Sequence, residues 1–195
     1  MAMSTETQQV ELIGDEVVGN LVRAALLAAL TGAFAYVTFP NPASPTSVTL
    51  QVLGVFMAGL LLGPVWGGVS MTLYLAAGAV GVPVFAGAAA GFGPLVGTTA
   101  GFLWSYPLAA IVIGAVAYGG FETNADLDAP LWRLVAALVA GTIIIYTLGA
   151  LGLVFLGNLS VEAALVGGTL TFLPAEAVTA AVAVGIVRDD ELSAT

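Results

Sequence analysis

The sequence contains no cysteine and no histidine, and its only basic residues are three arginines. Without cysteine there are no disulfides or thiolate nucleophiles, and without histidine the usual zinc sites and serine–histidine triads cannot form. A formal net charge of −9 with so few cations argues against binding to nucleic-acid phosphates. We therefore expect no catalytic site, no metal site and no cofactor.

Charged residues are scarce along the 195-residue chain, while hydrophobic residues are abundant. They make up 8% and 59% of the sequence, and the mean hydropathy is +1.07. A soluble domain carries about 25% charged residues, because water must solvate its surface. The composition therefore excludes a soluble enzyme and a disordered chain, and it predicts a protein embedded in the lipid bilayer.

Several hydrophobic segments have about the 20 residues that a helix needs to cross a hydrocarbon core of about 30 Å. Four of them are clear spans: residues 20–39, 98–118, 132–156 and 160–187. A fifth segment, residues 46–80, forms either one long kinked helix or two short helices that turn at Gly63 and Pro64.

The arginines distinguish these alternatives, because loops that face the cytoplasm carry an excess of positive charge. Arg23 precedes the first span, Arg133 opens the second-last span and Arg188 closes the last. All three lie on one face if residues 46–80 form a hairpin. We therefore predict an all-α membrane protein with six transmembrane helices over residues 20–188 and with both termini in the cytoplasm.

Acidic residues concentrate outside the predicted spans. Residues 1–19 and 189–195 are acidic tails, and only Glu162 and Glu176 lie away from the cytoplasmic face. An acidic face without lysine indicates a salt-rich cytoplasm, in which ions screen the repulsion between like charges. We therefore predict a halophilic source and a stability that rises with molar KCl.

The two remaining acidic residues have different surroundings. Glu162 follows Ser160 at the predicted start of the last helix, where a carboxylate stabilises the free amides. Glu176 lies well inside the last hydrophobic segment, two residues after Pro174, where an ionisable group is costly and usually functional. This position favours a ligand-binding carboxylate that accepts two parallel N–H bonds from a cyclic urea or amide. The alternative is a protonated residue that only packs.

Residues 81–94 are apolar but too rich in glycine and proline for a good helix. Non-helical backbone at membrane depth is tolerated only where protein or a water-filled cavity covers it. We expect glycines such as Gly87 to let the backbone approach a ligand, and Phe85 and Phe92 to form apolar walls. The alternative is a plain connecting loop with exposed aromatic residues.

Small residues recur at helical spacing in the first span, at Ala25, Ala29 and Ala33. A second row, beside it, consists of Ala24, Ala28 and Gly32. Rows of small residues let helices approach closely. The sequence predicts a contact with another helix of this chain or with a separate membrane subunit, without choosing between them.

Several motifs of the chain are similar to those of one known family. They are VTLQVLG at 48–54, AGLLLGP at 58–64, GVPVFAG at 81–87, GTTAGFL at 97–103 and PAE at 174–176. Together with Tyr74 and Gly78, they resemble the BioY family, the biotin-binding membrane components of energy-coupling-factor (ECF) transporters. The resemblance touches most of the chain from about residue 20 to 188.

The resemblance implies a six-helix bundle like that of ECF S components, with a biotin site near the outer face. It also implies partners, namely a coupling membrane subunit and two cytoplasmic ATPases, and the coupling subunit would meet the row Ala25, Ala29 and Ala33. Glu176 would hold the ureido N–H groups of biotin, and the loop at residues 40–47 would cover the site. The other implied site residues are the polar Gln51 and Thr179 and the wall residues Tyr74, Phe85, Gly87 and Phe92.

The chain departs from the family pattern in the last helix, which usually reads Pro-Gly-Asp with a lysine three residues after the aspartate. Glu176 stands in place of the aspartate, and Thr179 stands in place of the lysine. Arg188 cannot replace that lysine, because it lies 12 residues from Glu176, about 18 Å along a helix. We expect biotin to bind more weakly or in a different carboxylate cradle. A binding component for another vitamin or uncharged heterocycle, and a membrane assembly protein without a ligand, remain alternatives.

Overall fold

The computed structural model describes residues 14–39, 41, 48–121 and 127–189. The α-helices in these residues are α1 (Asp15–Phe34), α2 (Gln51–Ala79), α3 (Gly93–Val96), α4 (Ala100–Tyr118), α5 (Leu131–Phe155), α6 (Val161–Leu165) and α7 (Leu173–Arg188). Two strands, β1 (Thr38–Phe39) and β2 (Val48–Thr49), pair antiparallel. Among the described helices, five stretches are long and apolar enough to cross a membrane: α1, α2, α4, α5 and the combined stretch Val161–Arg188. The prediction of a multi-pass helical membrane protein is confirmed.

The helix α2 is a hairpin, as the arginines predict. Gly63 has φ 73° and ψ −176°, a conformation that glycine adopts without strain, and Pro64 follows it. A Cβ atom at Gly67 would lie 2.7 Å from the carbonyl oxygen of Ala58. In a continuous helix these positions would be about 13 Å apart, so the halves 51–62 and 64–79 fold back along each other. With this reversal the described chain has six helical segments in the membrane.

The helix α1 starts and ends about five residues earlier than predicted. It begins at Asp15, not at residue 20, because Asp15 and Glu16 occupy its first turn, where negative charge favours a helix. It ends at Phe34, not at residue 39, because Thr38 and Phe39 pair with Thr49 and Val48 in the small sheet. The rest of the predicted tails, residues 1–13 and 190–195, lies outside the described residues.

The hairpin α2 forms the centre of the bundle. It packs against α1 on one side and α4 on the other, and α4 packs against α5. Small residues make these approaches possible: a Cβ at Gly59 would lie 2.7 Å from the Cβ of Ile113, and one at Gly32 would lie 2.7 Å from Val84. The buried face of α1 is the row Ala24, Ala28 and Gly32, together with Thr31.

The last membrane segment is interrupted. The helix α6 runs into a π-helical turn at Val166–Leu170, and α7 begins anew at Leu173 with Pro174 in its first turn, where the missing N–H costs little. Ser160 caps α6 by accepting a hydrogen bond of 3.2 Å from the Ala163 amide, and Glu162 lies in the first turn. The hydrogen-bonded cap is therefore Ser160, and the capping role predicted for Glu162 is limited to its place in the first turn, where negative charge favours a helix. The interruption places Glu176 in the first turn of α7, so it is not in the interior of one long helix.

Candidate functional site

Glu176 is an acidic residue buried between the helices. Its side chain is 7% exposed, and its Oε2 atom has no hydrogen-bond partner among the described residues. Its position in the first turn of α7 puts the carboxylate at the positive end of the helix dipole, which favours negative charge there. In membrane transporters, breaks of this kind are typical of substrate sites.

Glu176 faces a cavity of about 340 Å³. This volume lies in the range of small-molecule sites, about 300–1,000 Å³. The start of α2, the loop around Phe85, one face of α4, the middle of α5 and the break before α7 all contribute to its wall. Its polar lining residues are Thr49, Gln51, Thr98, Thr99, Tyr106, Tyr146 and Glu176, and much of the remaining wall is aromatic or aliphatic.

Aromatic rings surround the acidic end of the cavity. The ring of Tyr146 packs between Phe102 and Phe172, with centroids 6.1 Å from each. The phenol groups of Tyr106 and Tyr146 are close enough to interact electrostatically with Glu176. Flat apolar faces around one carboxylate suit a ring system that carries N–H donors.

Gln51 presents a buried amide to the same cavity. It is 2% exposed, its Oε1 accepts a hydrogen bond of 2.9 Å from Thr49 Oγ1, and its Nε2 donates to the Tyr74 hydroxyl. Tyr74 itself is 1% exposed and does not line the cavity. The structure thus places Tyr74 behind Gln51 and Phe85, which contact it and line the cavity.

The segment 81–94 holds only short helical pieces, a 3₁₀ turn at Ala86–Ala88 and the start of α3 at Gly93, and only part of it reaches the cavity. Phe85 is a wall residue: its ring fills the space opposite Gly78 and packs edge-on against Tyr74 with centroids 5.6 Å apart. The turn that follows holds Gly87 at φ 70°, pointing away from the cavity. Phe92 is 69% exposed, so the structure places neither Gly87 nor Phe92 in the wall.

Thr179 does not line the cavity either. Its hydroxyl donates a hydrogen bond of 3.0 Å to the Ala175 carbonyl, a bond within the helix that threonine commonly forms. Within the described residues, none of the arginines Arg23, Arg133 and Arg188 is part of the cavity wall. The site therefore has an acidic end and no cation in its wall. Residues 40 and 42–47 of the predicted covering loop lie outside the described residues.

Comparison with known proteins identifies the family. The sequence model of the BioY family matches residues 3–192. The chain belongs to the BioY family. It is 37% identical to the biotin transporter BioY of Thermotoga maritima over 70% of this chain and 75% of that protein. It is 34% identical to the probable biotin transporter BioY of Pyrococcus horikoshii over 84% of this chain and 91% of that one.

The BioY fold also matches by structure. The S-component for biotin from an ECF-type ABC transporter, known from a crystal structure, superposes with a TM-score of 0.77 at 26% identity. The match covers 96% of this chain and 93% of the other. The predicted family and the S-component-like fold are thereby confirmed, and the relatives are transporters, not enzymes.

Sequence reasoning missed several BioY cavity residues. Tyr106, Tyr146 and Phe172 are aromatic residues within long apolar segments, where packing is the usual role of an aromatic ring. Thr98 and Thr99 precede α4 and resemble ordinary loop residues. A signal for the two tyrosines was nevertheless present, since a phenol in the middle of a membrane helix needs a polar partner.

The structure separates the two rows of small residues on α1. Ala24, Ala28 and Gly32 are buried inside the chain, whereas Ala25, Ala29 and Ala33 are exposed. The exposed row flanks a groove between α1 and residues 82–84. A contact within the chain therefore accounts for the row Ala24, Ala28 and Gly32, whereas the row Ala25, Ala29 and Ala33 stays exposed.

Proposed function

We propose that this chain binds biotin in the 340 Å³ cavity and carries it across the membrane as the substrate-binding component of an ECF transporter. The observation that carries the proposal is the buried Glu176 oxygen without a partner, facing a cavity of ligand size in a BioY protein. Its relatives are named biotin transporters, and the matching crystal structure is a biotin S component.

The chemistry of Glu176 fits the ureido group of biotin. A carboxylate oxygen accepts an N–H bond well, but the two N–H bonds of a five-membered cyclic urea point to opposite sides of the ring, so Glu176 would accept one of them and not both in parallel as the sequence predicts. A buried polar atom without a hydrogen bond costs about 1–3 kcal/mol, and the ligand N–H would offset this cost. The rings of Phe85, Phe102 and Tyr146 would cover the apolar parts of the ligand.

The carboxylate of biotin would meet neutral donors instead of a lysine. Thr98 and Thr99 line the cavity just before α4, and their hydroxyls make no hydrogen bond within the described part of the chain. The start of a helix also attracts negative charge. Neutral hydrogen bonds are about half as strong as charge-assisted ones, so binding would be weaker than with a lysine. The same lack of a cation favours, as a second candidate, another vitamin or an uncharged heterocycle.

Uptake would require partners that recognise the exposed face of α1. We place the coupling membrane subunit on Ala25, Ala29 and Ala33, because exposed small residues let a second helix approach closely. Two cytoplasmic ATPases would supply the energy. An even number of helical segments and the positions of Arg23, Arg133 and Arg188 support both termini in the cytoplasm.

Equilibrium binding of labelled biotin to the purified protein tests the ligand. Glu176→Ala is expected to weaken binding about 10- to 100-fold, since one hydrogen bond to a charged group is lost. Glu162→Ala is the matched control, because Glu162 is an exposed acidic residue of the same segment outside the cavity. Unchanged binding in Glu176→Ala would refute the role of Glu176. Binding of another vitamin but not biotin would favour the second candidate, and the absence of any ligand would favour an assembly protein.

A pair of bulky substitutions on α1 tests the partner. Ala29→Trp should abolish co-purification with the coupling subunit and leave biotin binding unchanged, because it blocks close approach of a helix. Leu26→Trp is the control, since Leu26 is 65% exposed and lies outside the row of small residues. Equal effects of both variants on assembly would remove this surface from the proposal.

A further inference from the structure

Tyr74 carries a buried hydroxyl that the proposed biotin contacts do not use. It lies in the second half of α2, behind Gln51, and is one of the most fully buried large side chains. Two rings, those of Phe85 and Tyr106, pack against it at 5.6 Å and 6.1 Å. A phenylalanine would fill the same space, so packing alone does not explain the hydroxyl.

The hydrogen bonds of Tyr74 fix the direction of its proton. The hydroxyl donates to the Val84 carbonyl at 3.2 Å and accepts from Gln51 Nε2. A hydroxyl has one hydrogen. Since that hydrogen is used on Val84, the phenol oxygen can only accept, and the group that faces it must be the NH₂ of Gln51.

This constraint sets the orientation of the Gln51 amide. Its NH₂ points to Tyr74, and its oxygen points to the Thr49 hydroxyl, which donates at 2.9 Å. The reversed amide would take the Tyr74 proton and leave the Val84 carbonyl without this donor. Oxygen and nitrogen of an amide are assigned from such networks, and the network here favours one assignment.

Two hydrogen-bonding positions of Gln51 remain for a ligand. An amide has two N–H donors and two oxygen lone pairs, and the described contacts use one of each. Gln51 lines the cavity, as does Glu176, which when ionised can only accept. The cavity thus combines an acceptor at α7 with a fixed N–H donor at α2.

We infer that Tyr74 is a positioning residue: it holds the Gln51 amide so that its second N–H donates to the carbonyl oxygen of the ligand's urea. This inference rests on the proposed function, because it assigns the two ends of a bound urea. Glu176 accepts a hydrogen bond from an N–H group of the urea, and Gln51 donates one to its carbonyl oxygen. The pair then distinguishes a urea from a guanidine, which offers donors at every position.

Binding of biotin and 2-iminobiotin to the same variants tests the inference. In 2-iminobiotin a guanidine replaces the urea, and at neutral pH it is a protonated guanidinium, which has no acceptor in the place of the ureido oxygen that Gln51 would recognise. Tyr74→Phe is expected to weaken biotin about three- to tenfold, the effect of one hydrogen bond. Binding of 2-iminobiotin should stay equal or become tighter, because the released amide can turn its oxygen to the imino group. The preference for biotin should therefore fall.

Tyr36→Phe is the matched control. Its hydroxyl donates to the neighbouring Pro83 carbonyl at 2.6 Å, so the variant removes a phenol bond to the same loop without contacting Gln51. It should leave the biotin preference unchanged. In a Gln51→Leu background, Tyr74→Phe should have no further effect on biotin, because Tyr74 acts through Gln51.

Two results would overturn the inference. If Tyr74→Phe weakens the binding of both ligands equally, Tyr74 acts only through packing. If it weakens the binding of neither ligand, Tyr74 does not control the orientation of the Gln51 amide. The wild-type protein reports separately on the proposed function: if it binds no biotin, that function fails and the inference with it. If wild-type binding is intact and the preference does not move, only the inference fails.

Discussion

The helices α2 and α7 both contribute to the cavity, but they are held very differently. In the apolar 18-residue window of α2, 72% of the residues are buried. In the corresponding window of the Val161–Arg188 stretch, which contains α7, only 17% are buried. The buried polar groups differ in the same way. Gln51 and Ser70 of α2 are hydrogen-bonded, whereas one oxygen of Glu176 in α7 has no partner among the described residues.

This contrast assigns different tasks to the two sides of the site. The packed α2 presents an amide with a fixed orientation. The sparsely packed α7 presents a carboxylate whose Oε2 atom would find its hydrogen-bond partner in a ligand. A second cavity of about 690 Å³ lies between α5 and α7 and also touches Glu176. Regions with few buried contacts open at low free energy, and ligand-binding elements are often among them.

The largest effects are expected when the polar residue on each side of the cavity, Glu176 of α7 or Gln51 of α2, is replaced by leucine. Glu176→Leu should reduce biotin binding about 10- to 100-fold and raise the unfolding temperature of the ligand-free protein, since the buried Oε2 atom without a partner among the described residues is removed. Gln51→Leu should lower that temperature, because the hydroxyls of Thr49 and Tyr74 lose their partner. Thermal unfolding in detergent measures both. A lower unfolding temperature for Glu176→Leu than for the wild-type protein would contradict this difference between α2 and α7.

Hydrogen exchange with and without biotin sharpens the comparison. Biotin at 100 times its dissociation constant stabilises the bound state by about 2.7 kcal/mol, equivalent to about 100-fold slower exchange where opening releases the ligand. We expect this protection in the first turns of α7 and around Phe85. Amides in the middle of α2 should change little, because they are already buried without the ligand. Uniform protection of both helices would remove the distinction.

Much of the fold could be predicted from the sequence because lipid imposes strong rules on composition and length. The hairpin of α2 followed from three arginines together with Gly63 and Pro64. The break before α7 did not, since residues 160–187 have the length and hydropathy of one continuous span and a π-helical turn leaves no clear composition signal. The halophilic source stays a prediction.

The site was predictable only in part. Glu176 and Phe85 were found because an acid and a glycine-rich loop are unusual at membrane depth, and Gln51 was found through the family resemblance. Tyr74 and Thr179 are buried but do not line the cavity, and this depends on packing that a motif does not contain. Tyr146 went unnoticed because it lies in a long apolar segment, where packing is the usual role of an aromatic ring.

Glycine substitutions compare packing in the two helices. Gly59→Ala in α2 should destabilise the protein by about 1–3 kcal/mol, because the new methyl group would lie 2.7 Å from Ile113 and 2.8 Å from the Ala110 carbonyl. Gly185→Ala in α7 meets no atom within 4 Å and should stabilise it by about 0.5–1 kcal/mol through helix propensity. Chemical unfolding in mixed micelles measures both. Equal destabilisation would show that α7 is packed as tightly as α2.

The smallest effect is expected at Thr179, which stands where the family usually has a lysine. Thr179→Val should change biotin binding by less than about twofold, because its hydroxyl bonds to the Ala175 carbonyl and does not line the cavity. The valine has nearly the same shape, so α7 keeps its packing. Equilibrium binding beside Thr98→Val, which removes a hydroxyl that does line the cavity, provides the comparison. A loss at Thr179 larger than that at Thr98 would mean that α7 rotates when biotin binds, bringing Thr179 to the ligand.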